Sequence, residues 1–269
     1  MRDTVRPEGS FQLSSPGAAA YNLREAGGFA TTSGARLQTG RLFRSGQLET
    51  AGTDLAGVLA ALRIGTIIDM RTDAERNTPR GVAFDGFDGR VLSPDCEDNT
   101  IPHAVDAFRG LTSNDQVMAH YCSIYRKLPE GPRFRQAAQH YVTAVEQASE
   151  TEDEAVLIHC FAGKDRTGLA VALLHLALGV HEDDVYANYL QTNDMGAERV
   201  EVAMTALLGN RQSRFPDWMI AEVMAVRPEY LANALEVIGR NYGSAAQYLA
   251  HLSGMDLARI ERMAERLTA

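Results

Sequence analysis

The apolar positions of this chain fall into two regimes, short β-rich runs and longer runs with helical spacing. Leu42-Phe43-Arg44 reads as a short strand with its arginine facing a polar end. Residues 55–62 have helical spacing, and Ile64 to Met70 is a β-rich run directly after them. Val82-Ala83-Phe84 and Val91-Leu92 are poorer strand candidates, parted by glycine and aspartate. Residues 115–127 and 134–149 repeat apolar side chains at helical intervals, and Pro129, Gly131 and Pro132 separate the two. Ala155-Val156-Leu157-Ile158 is a continuous apolar run that predicts a central strand, and a helical pattern runs from Leu169 to Leu178. After residue 180 the chain reads almost entirely as helices. His181-Glu182-Asp183-Asp184 opens one of them, with Asp183 and Asp184 suited to an amino-terminal turn. Arg227-Pro228-Glu229 puts proline at the start of another, and residues 256–267 form a last amphipathic helix.

This order predicts an α/β fold. Residues 1–20 read as a loose leader and residues 21–269 as one domain, in which 181–269 is a helical extension. No internal repeat stands out. A central strand at Ala155–Ile158 delivers the next residues to the carboxyl edge of the sheet, the usual ligand position of an open α/β sheet.

Those next residues are His159-Cys160-Phe161-Ala162-Gly163-Lys164-Asp165-Arg166-Thr167-Gly168. Strand, tight loop and helix start together make an anion cradle. The amides of Phe161, Ala162, Gly163, Lys164, Asp165 and Arg166 can converge on one centre, and the helix terminus adds positive potential. Such a cradle favours the thiolate of Cys160, the nucleophilic form of the side chain. Arg166 can grip two non-bridging phosphate oxygens with its planar fork. Those oxygens carry the transition-state charge, so preorganised donors matter most there. Thr167 is the candidate donor to the sulfur when water cleaves a phosphocysteine. His159 is expected to orient the loop and favour the thiolate without transferring a proton. Gly163 and Gly168 admit a backbone that side chains would obstruct.

Composition changes this picture little. With 269 residues and a hydrophobic fraction of 45%, the chain can bury a full core. It has no apolar run of transmembrane length and no secretory signal at its amino terminus, so the default compartment is the cytoplasm. A net charge of −9 disfavours nucleic acid as a partner. Cys96 and Cys122 have no setting like that of Cys160, and the spacing of the 3 cysteines suits neither a disulfide framework nor a zinc site. No metal or other cofactor is expected, because the amides and Arg166 supply the charge stabilisation. Oligomeric state is not readable.

The segment from His159 to Gly168 resembles the C-x5-R-[ST] loop of the protein tyrosine phosphatase superfamily, and Ala162–Gly168 resembles its bacterial tyrosine/serine phosphatase branch. Further blocks agree in order: Asn22-Leu23-Arg24-Glu25-Ala26-Gly27-Gly28, Leu42-Phe43-Arg44-Ser45-Gly46, Asp69-Met70-Arg71-Thr72-Asp73-Ala74-Glu75-Arg76, Asn188-Tyr189-Leu190-Gln191-Thr192-Asn193 and Arg227-Pro228-Glu229-Tyr230-Leu231. The resemblance implies a three-layer fold, with a mostly parallel sheet of four or five strands and helices on both faces. It implies hydrolysis of phosphomonoesters on phosphorylated proteins or peptides, with phosphoinositides as the alternative substrate. A catalytically dead phosphate binder is the reading from another class, and an arsenate reductase or rhodanese-like thiol enzyme is a third. The family also implies a lid over the cleft, for which residues 100–135 are the candidate, with apolar anchors at Val105, Phe108, Val117 and Tyr121. Ordinary peripheral helices are the competing reading of that segment.

Two aspartates compete for the general acid that alkoxide expulsion needs. Asp165 lies inside the loop, and myotubularin-like lipid phosphatases carry aspartate at the matching position. Asp95, in Ser93-Pro94-Asp95-Cys96, matches the Pro-Asp pair that superfamily members carry on a separate loop. Asp69 is expected to be salt-bridged beside Arg71. Arg44 and Arg71 are expected to tie strand ends to carboxylates such as Glu75, or else one of them touches substrate phosphate. Lys164 matches a lysine that contacts extra inositol phosphates in lipid phosphatases, or it neutralises Asp165. Phe161 departs from that lipid pattern and offers an apolar wall to an aromatic ester, or else packs within the loop.

Overall fold

The computed structural model describes residues 22–48, 55–76, 84, 86–96, 105–108, 110–194 and 216–269. The expected leader and the strand candidate at Val82-Ala83 lie outside them, as do residues 100–104 and 109 of the candidate lid and the side chain of Val105.

A five-stranded sheet runs in the order β1-β2-β5-β3-β4, with β1 Arg24–Glu25, β2 Leu42–Ser45, β3 Ile64–Asp69, β4 Arg90–Leu92 and β5 Ala155–His159. β2 and β3 flank β5 in parallel and β4 continues in parallel beyond β3. Only β1 is antiparallel, paired to β2. At two residues, β1 is too short for its period to show in sequence. The mostly parallel sheet and the central place of Ala155–Ile158 are as expected.

The period-two alternation of the strands sorts their side chains between two layers. Leu42, Ile68, Val156 and Ile158 enter the larger core, under the main helical layer. Phe43, Ile67, Ala155 and Leu157 enter a smaller core with Leu55 and Leu59 of α1 (Leu55–Ala61). Helices therefore cover both faces. On the larger side lie α4 (Pro132–Ala148) and α5 (Asp165–Ala177). α5 has no solvated stripe, since every residue from Asp165 to His175 is buried, so it is an internal helix held between layers.

The other α-helices among the described residues are α2 (Asp73–Arg76), α3 (Asn114–Lys127), α6 (Glu182–Leu190), α7 (Asp217–Met224), α8 (Pro228–Tyr242), α9 (Ala245–Ser253) and α10 (Leu257–Arg266). Local chemistry sets their starts. Ser113, Ser244 and Asp256 accept hydrogen bonds from Gln116, Gln247 and Arg259 amides, and Pro228 stands at the first turn of α8. Within the candidate lid, Val117 and Tyr121 of α3 are fully buried, and the Tyr121 ring stacks on Tyr230 of α8 at 5.0 Å. The chain end returns to the first described segment, where the Ala269 amide donates to Arg36 O at 2.9 Å.

One register fixes the functional edge. Ser45 and Asp69 both stand opposite His159, so three polar residues cross the carboxyl ends of β2, β5 and β3. The residues before them on β5 are wholly apolar and buried.

Candidate active site

Cys160 comes directly after β5 and is buried. α5 begins at Asp165 rather than at Leu169, so Asp165, Arg166 and Thr167 belong to its first turn. Their polar side chains hide the helical period. The Gly168 amide already donates to Lys164 O at 2.9 Å.

The loop is shaped from outside by donors to its carbonyls. The Gln47 amide donates to Phe161 O at 2.9 Å. Asn22 Nδ2 donates to Gly163 O at 2.8 Å and reaches Ala162 O at 3.4 Å. Arg44 Nη2 donates to Gly163 O at 3.0 Å. Across a trans peptide the carbonyl and the next N–H point opposite ways, and the described backbone contains no cis peptide. With these carbonyls turned outward, the amides of Ala162, Gly163 and Lys164 turn inward, as an anion cradle needs. Gly163 has φ +63, and a Cβ on it would lie 2.5 Å from the Ser45 and Gly46 backbone. A Cβ on Gly168 would lie 2.9 Å from the Tyr189 ring.

Arg166 is gripped end-on by Glu75, with Nη1 to Oε2 at 2.8 Å and Nη2 to Oε1 at 2.6 Å, while Nη1 also donates to Met70 O at 3.1 Å. Burial works against its charge, and Glu75 and Cys160 more than restore it, so its pKa stands above the ordinary arginine value. A guanidinium has five N–H donors. These contacts use both of Nη1 and one of Nη2, and Nε makes no hydrogen bond among the described residues. The side edge formed by Nε and Nη2 is therefore the one able to take two oxygens of a phosphoryl group. Glu75 is itself fixed by a capping box. The Thr72 amide donates to Glu75 Oε2 at 2.7 Å, and the Glu75 amide donates to Thr72 Oγ1 at 3.2 Å.

Of the two supporting arginines, Arg71 is tied to a carboxylate, Asp69, and only Arg44 departs from the expectation. Glu75 holds Arg166, and neither Arg44 nor Arg71 is shown on it. Arg71 pairs with Asp69 through Nε at 3.0 Å and Nη2 at 2.9 Å, both side chains buried. Among the described residues Arg44 has no carboxylate partner. It donates to Gly163 O and, through Nη1 at 2.9 Å, to Asn188 Oδ1 on α6. The physical reason is that β2 ends behind the loop, where the available acceptors are a carbonyl and an amide.

His159 is buried beneath Cys160, with Nδ1 3.3 Å from Cys160 O and Nε2 3.6 Å from Asp69 Oδ1. Burial pushes its pKa down to about 4, so the ring is neutral near pH 7. Burial acts to raise the pKa of Asp69, but His159 and the Arg71 fork outweigh it and bring it to about 2. The Thr167 hydroxyl, expected on the sulfur, makes no hydrogen bond among the described residues.

Lys164 and Asp165 face the helical layer. Lys164 Nζ donates to Val223 O and, at 3.2 Å, to Ala225 O, lies 4.4 Å from the centre of the Tyr121 ring, and is 3.5 Å from Asp165 Oδ1. Asp165 Oδ1 accepts from Tyr125 OH at 2.9 Å, and Tyr125 OH lies 2.7 Å from Tyr189 OH. Phe161 is buried as a packed loop side chain. Asp95 is exposed and bound to α4, where Gln136 Nε2 donates to its Oδ1 at 2.5 Å. Cys96 and Cys122 are free and half-buried.

Asn22, Asn188 and Glu75 do not stand out in the sequence as site residues. Glu75 carries a signal, the T-x-x-E capping spacing with Thr72; the two asparagines have none beyond their place in the flanking blocks.

Among the described residues no helix is long and apolar enough to cross a membrane. The chain is 31% identical over 277 residues to the triple specificity protein phosphatase PtpB of Mycobacterium tuberculosis, covering 91% of this chain and 95% of that protein. It is 30% identical over 239 residues to a protein of Cupriavidus necator assigned as a tyrosine-protein phosphatase, covering 89% of this chain and 84% of that protein. The sequence model of the tyrosine phosphatase family matches residues 16–269, and the chain belongs to that family.

Proposed function

We propose that this protein is a cysteine-dependent phosphomonoester hydrolase that acts on phosphotyrosine in proteins through a phosphocysteine intermediate. The observation that carries this reading is the Nε–Nη2 edge of Arg166, fixed in place by Glu75, in the same loop as Cys160. The Cys160 thiolate attacks phosphorus while inward amides and Arg166 hold the equatorial oxygens. The bond to the leaving oxygen breaks, and that oxygen takes a proton. Water then cleaves the S–P bond, releasing phosphate and the thiolate. In this reading Thr167 supplies its hydroxyl to the departing sulfur, and His159 orients the loop without transferring a proton.

Asp165 is the proposed proton donor, and Asp95 is the alternative. Asp165 is adjacent to Arg166 and held by Tyr125, whereas Asp95 is exposed after β4 and bound to Gln136 of α4. Two observations bear on substrate breadth. Lys164 is engaged by the Val223 and Ala225 carbonyls at the end of α7, which favours the protein substrate over the lipid. The words "triple specificity" in the description of the mycobacterial relative support testing phosphoserine/threonine and phosphoinositides alongside.

The test is a panel of a phosphotyrosine peptide, a phosphothreonine peptide, short-chain phosphoinositides and an activated aryl phosphate. Phosphotyrosine is expected to be the best peptide substrate, and a clear preference for phosphothreonine or one phosphoinositide would overturn that reading. Asp165→Asn should lose far more rate on poor leaving groups than on the activated ester, by about 10²-fold or more. Leaving-group dependence in Asp95→Asn alone would transfer the role to Asp95.

A further inference from the structure

We propose that Asn22 and Arg44 are positioning residues for phosphoryl transfer, which pin the Gly163–Lys164 peptide so that its N–H faces the phosphoryl centre. The inference rests on the proposed phosphatase reading and concerns how its cradle is kept formed.

Gly163 O is engaged twice among the described residues. It accepts from Asn22 Nδ2 at 2.8 Å and Arg44 Nη2 at 3.0 Å, which occupies both of its lone pairs. Both donors are buried. One bond would satisfy a buried carbonyl, so the second calls for another purpose. The conformation of Gly163 supplies it. Glycine is required at φ +63, with the Ser45 and Gly46 backbone too close for a Cβ. Glycine is also the residue whose flanking peptides rotate most readily. A half-turn of this peptide would replace the Lys164 N–H with the Gly163 oxygen, placing a partial negative charge against the phosphoryl oxygens. Two donors behind the carbonyl oppose that turn.

The donors are themselves braced. Asn22 has a left-handed backbone, and its Oδ1 accepts from Arg24 Nη1. Arg24 Nη2 donates to Asn188 O at 3.0 Å and Thr192 Oγ1 at 3.2 Å. Arg44 Nη1 donates to the Asn188 side chain at 2.9 Å. Asn188 of α6 thus ties both arms. Burying a guanidinium without a carboxylate is costly. Burial lowers the Arg44 pKa to about 10, and Cys160 is the largest of the influences that hold it up.

The experiment compares Asn22→Ala, Arg44→Lys and Arg44→Met with wild type by vanadate inhibition, kcat and KM on an aryl phosphate, and thermal melting. It also compares Cys160 alkylation by anionic iodoacetate and by neutral iodoacetamide. An open cradle attracts the anionic reagent, so the ratio of the two rates reads the peptide's orientation independently of how much protein is folded. Asn22→Ala should weaken vanadate about tenfold and lower kcat more than it changes KM. Arg44→Met should weaken vanadate about 10²-fold, and Arg44→Lys should recover part of that loss. In each, the iodoacetate preference should fall. If Arg44→Met does not fold, Asn22→Ala, which removes one donor, decides the matter. Folded variants with wild-type vanadate affinity and an unchanged alkylation ratio would overturn the proposal, leaving both residues as fold supports. A wild type that binds vanadate but hydrolyses no phosphoester would refute the proposed function instead, with the positioning claim still read by vanadate.

Discussion

Lys164 and Arg166 stand two residues apart at the start of α5 and meet different parts of the fold. Two steps along a helix turn a side chain by about 200°. At the start of α5 that rotation sends Lys164 onto the carbonyls at the end of α7 and Arg166 onto Glu75. Their chemistry suits the two places. A flexible ammonium can serve several carbonyls at once, and Lys164 reaches two of them and the Tyr121 ring. A planar fork can be clamped along one edge and still offer another, and Arg166 is clamped through Nη1 and Nη2. Motif spacing alone does not tell two cations of one loop apart; the helix phase does.

Arg166→Lys is the strongest way to break this contrast. It removes the edge that Glu75 leaves, so kcat/KM on an aryl phosphate should fall about 10²- to 10³-fold and vanadate should bind more weakly. A loss under fivefold would show that the fork is not at the phosphate.

Acid should dismantle the scaffold from which both residues hang. His159 and His175 are buried, and burial lowers each pKa from 6.5 to about 4. Above pH 6.5 neither contributes a pH dependence. As pH falls from 6.5 towards 4 the unfolded chain takes up their protons and the folded chain does not, so stability falls. The two together can remove roughly 6 kcal/mol at most. Asp69, held at about 2, contributes stability that is lost only as pH falls below 3.8. Urea midpoints measured from pH 7.5 to 4 should decline mainly below 6.5, and a flat profile would contradict the neutral burial of these rings.

Lys164→Ala should have the smallest effect on catalysis. The rate on an activated aryl phosphate should change less than about fivefold, while the melting temperature falls through the loss of the α7 carbonyl contacts, by about 1–2 kcal/mol in stability. A selective collapse of phosphoinositide hydrolysis would mean that the lysine leaves α7 to read a second phosphate.

The central strand, the loop and most helices are legible in sequence because each carries a strong local signal. Ala155–Ile158 is unbroken apolar chain, Pro228 marks a helix start, and Gly163 and Gly168 bracket Arg166 after Cys160. The illegible part depends on pairing across long stretches of chain. Nothing in the sequence says that Glu75 meets Arg166, 91 residues away, or that Asn22 meets Gly163, 141 residues away. The same holds for Arg44, whose acceptors come from α5's loop and from α6. The four-residue error in the start of α5 has a local cause, since a first turn of functional polar residues carries no hydrophobic period.

The central claim is that Cys160 carries the phosphoryl group. Its most direct test is acid quench of the enzyme during turnover of an aryl phosphate, with the modified residue mapped by mass spectrometry. The account predicts a phosphoryl adduct on Cys160, absent in Cys160→Ser, whose turnover should fall at least about 10³-fold while vanadate still binds. An adduct on another residue, or near-normal turnover by Cys160→Ser, would contradict it.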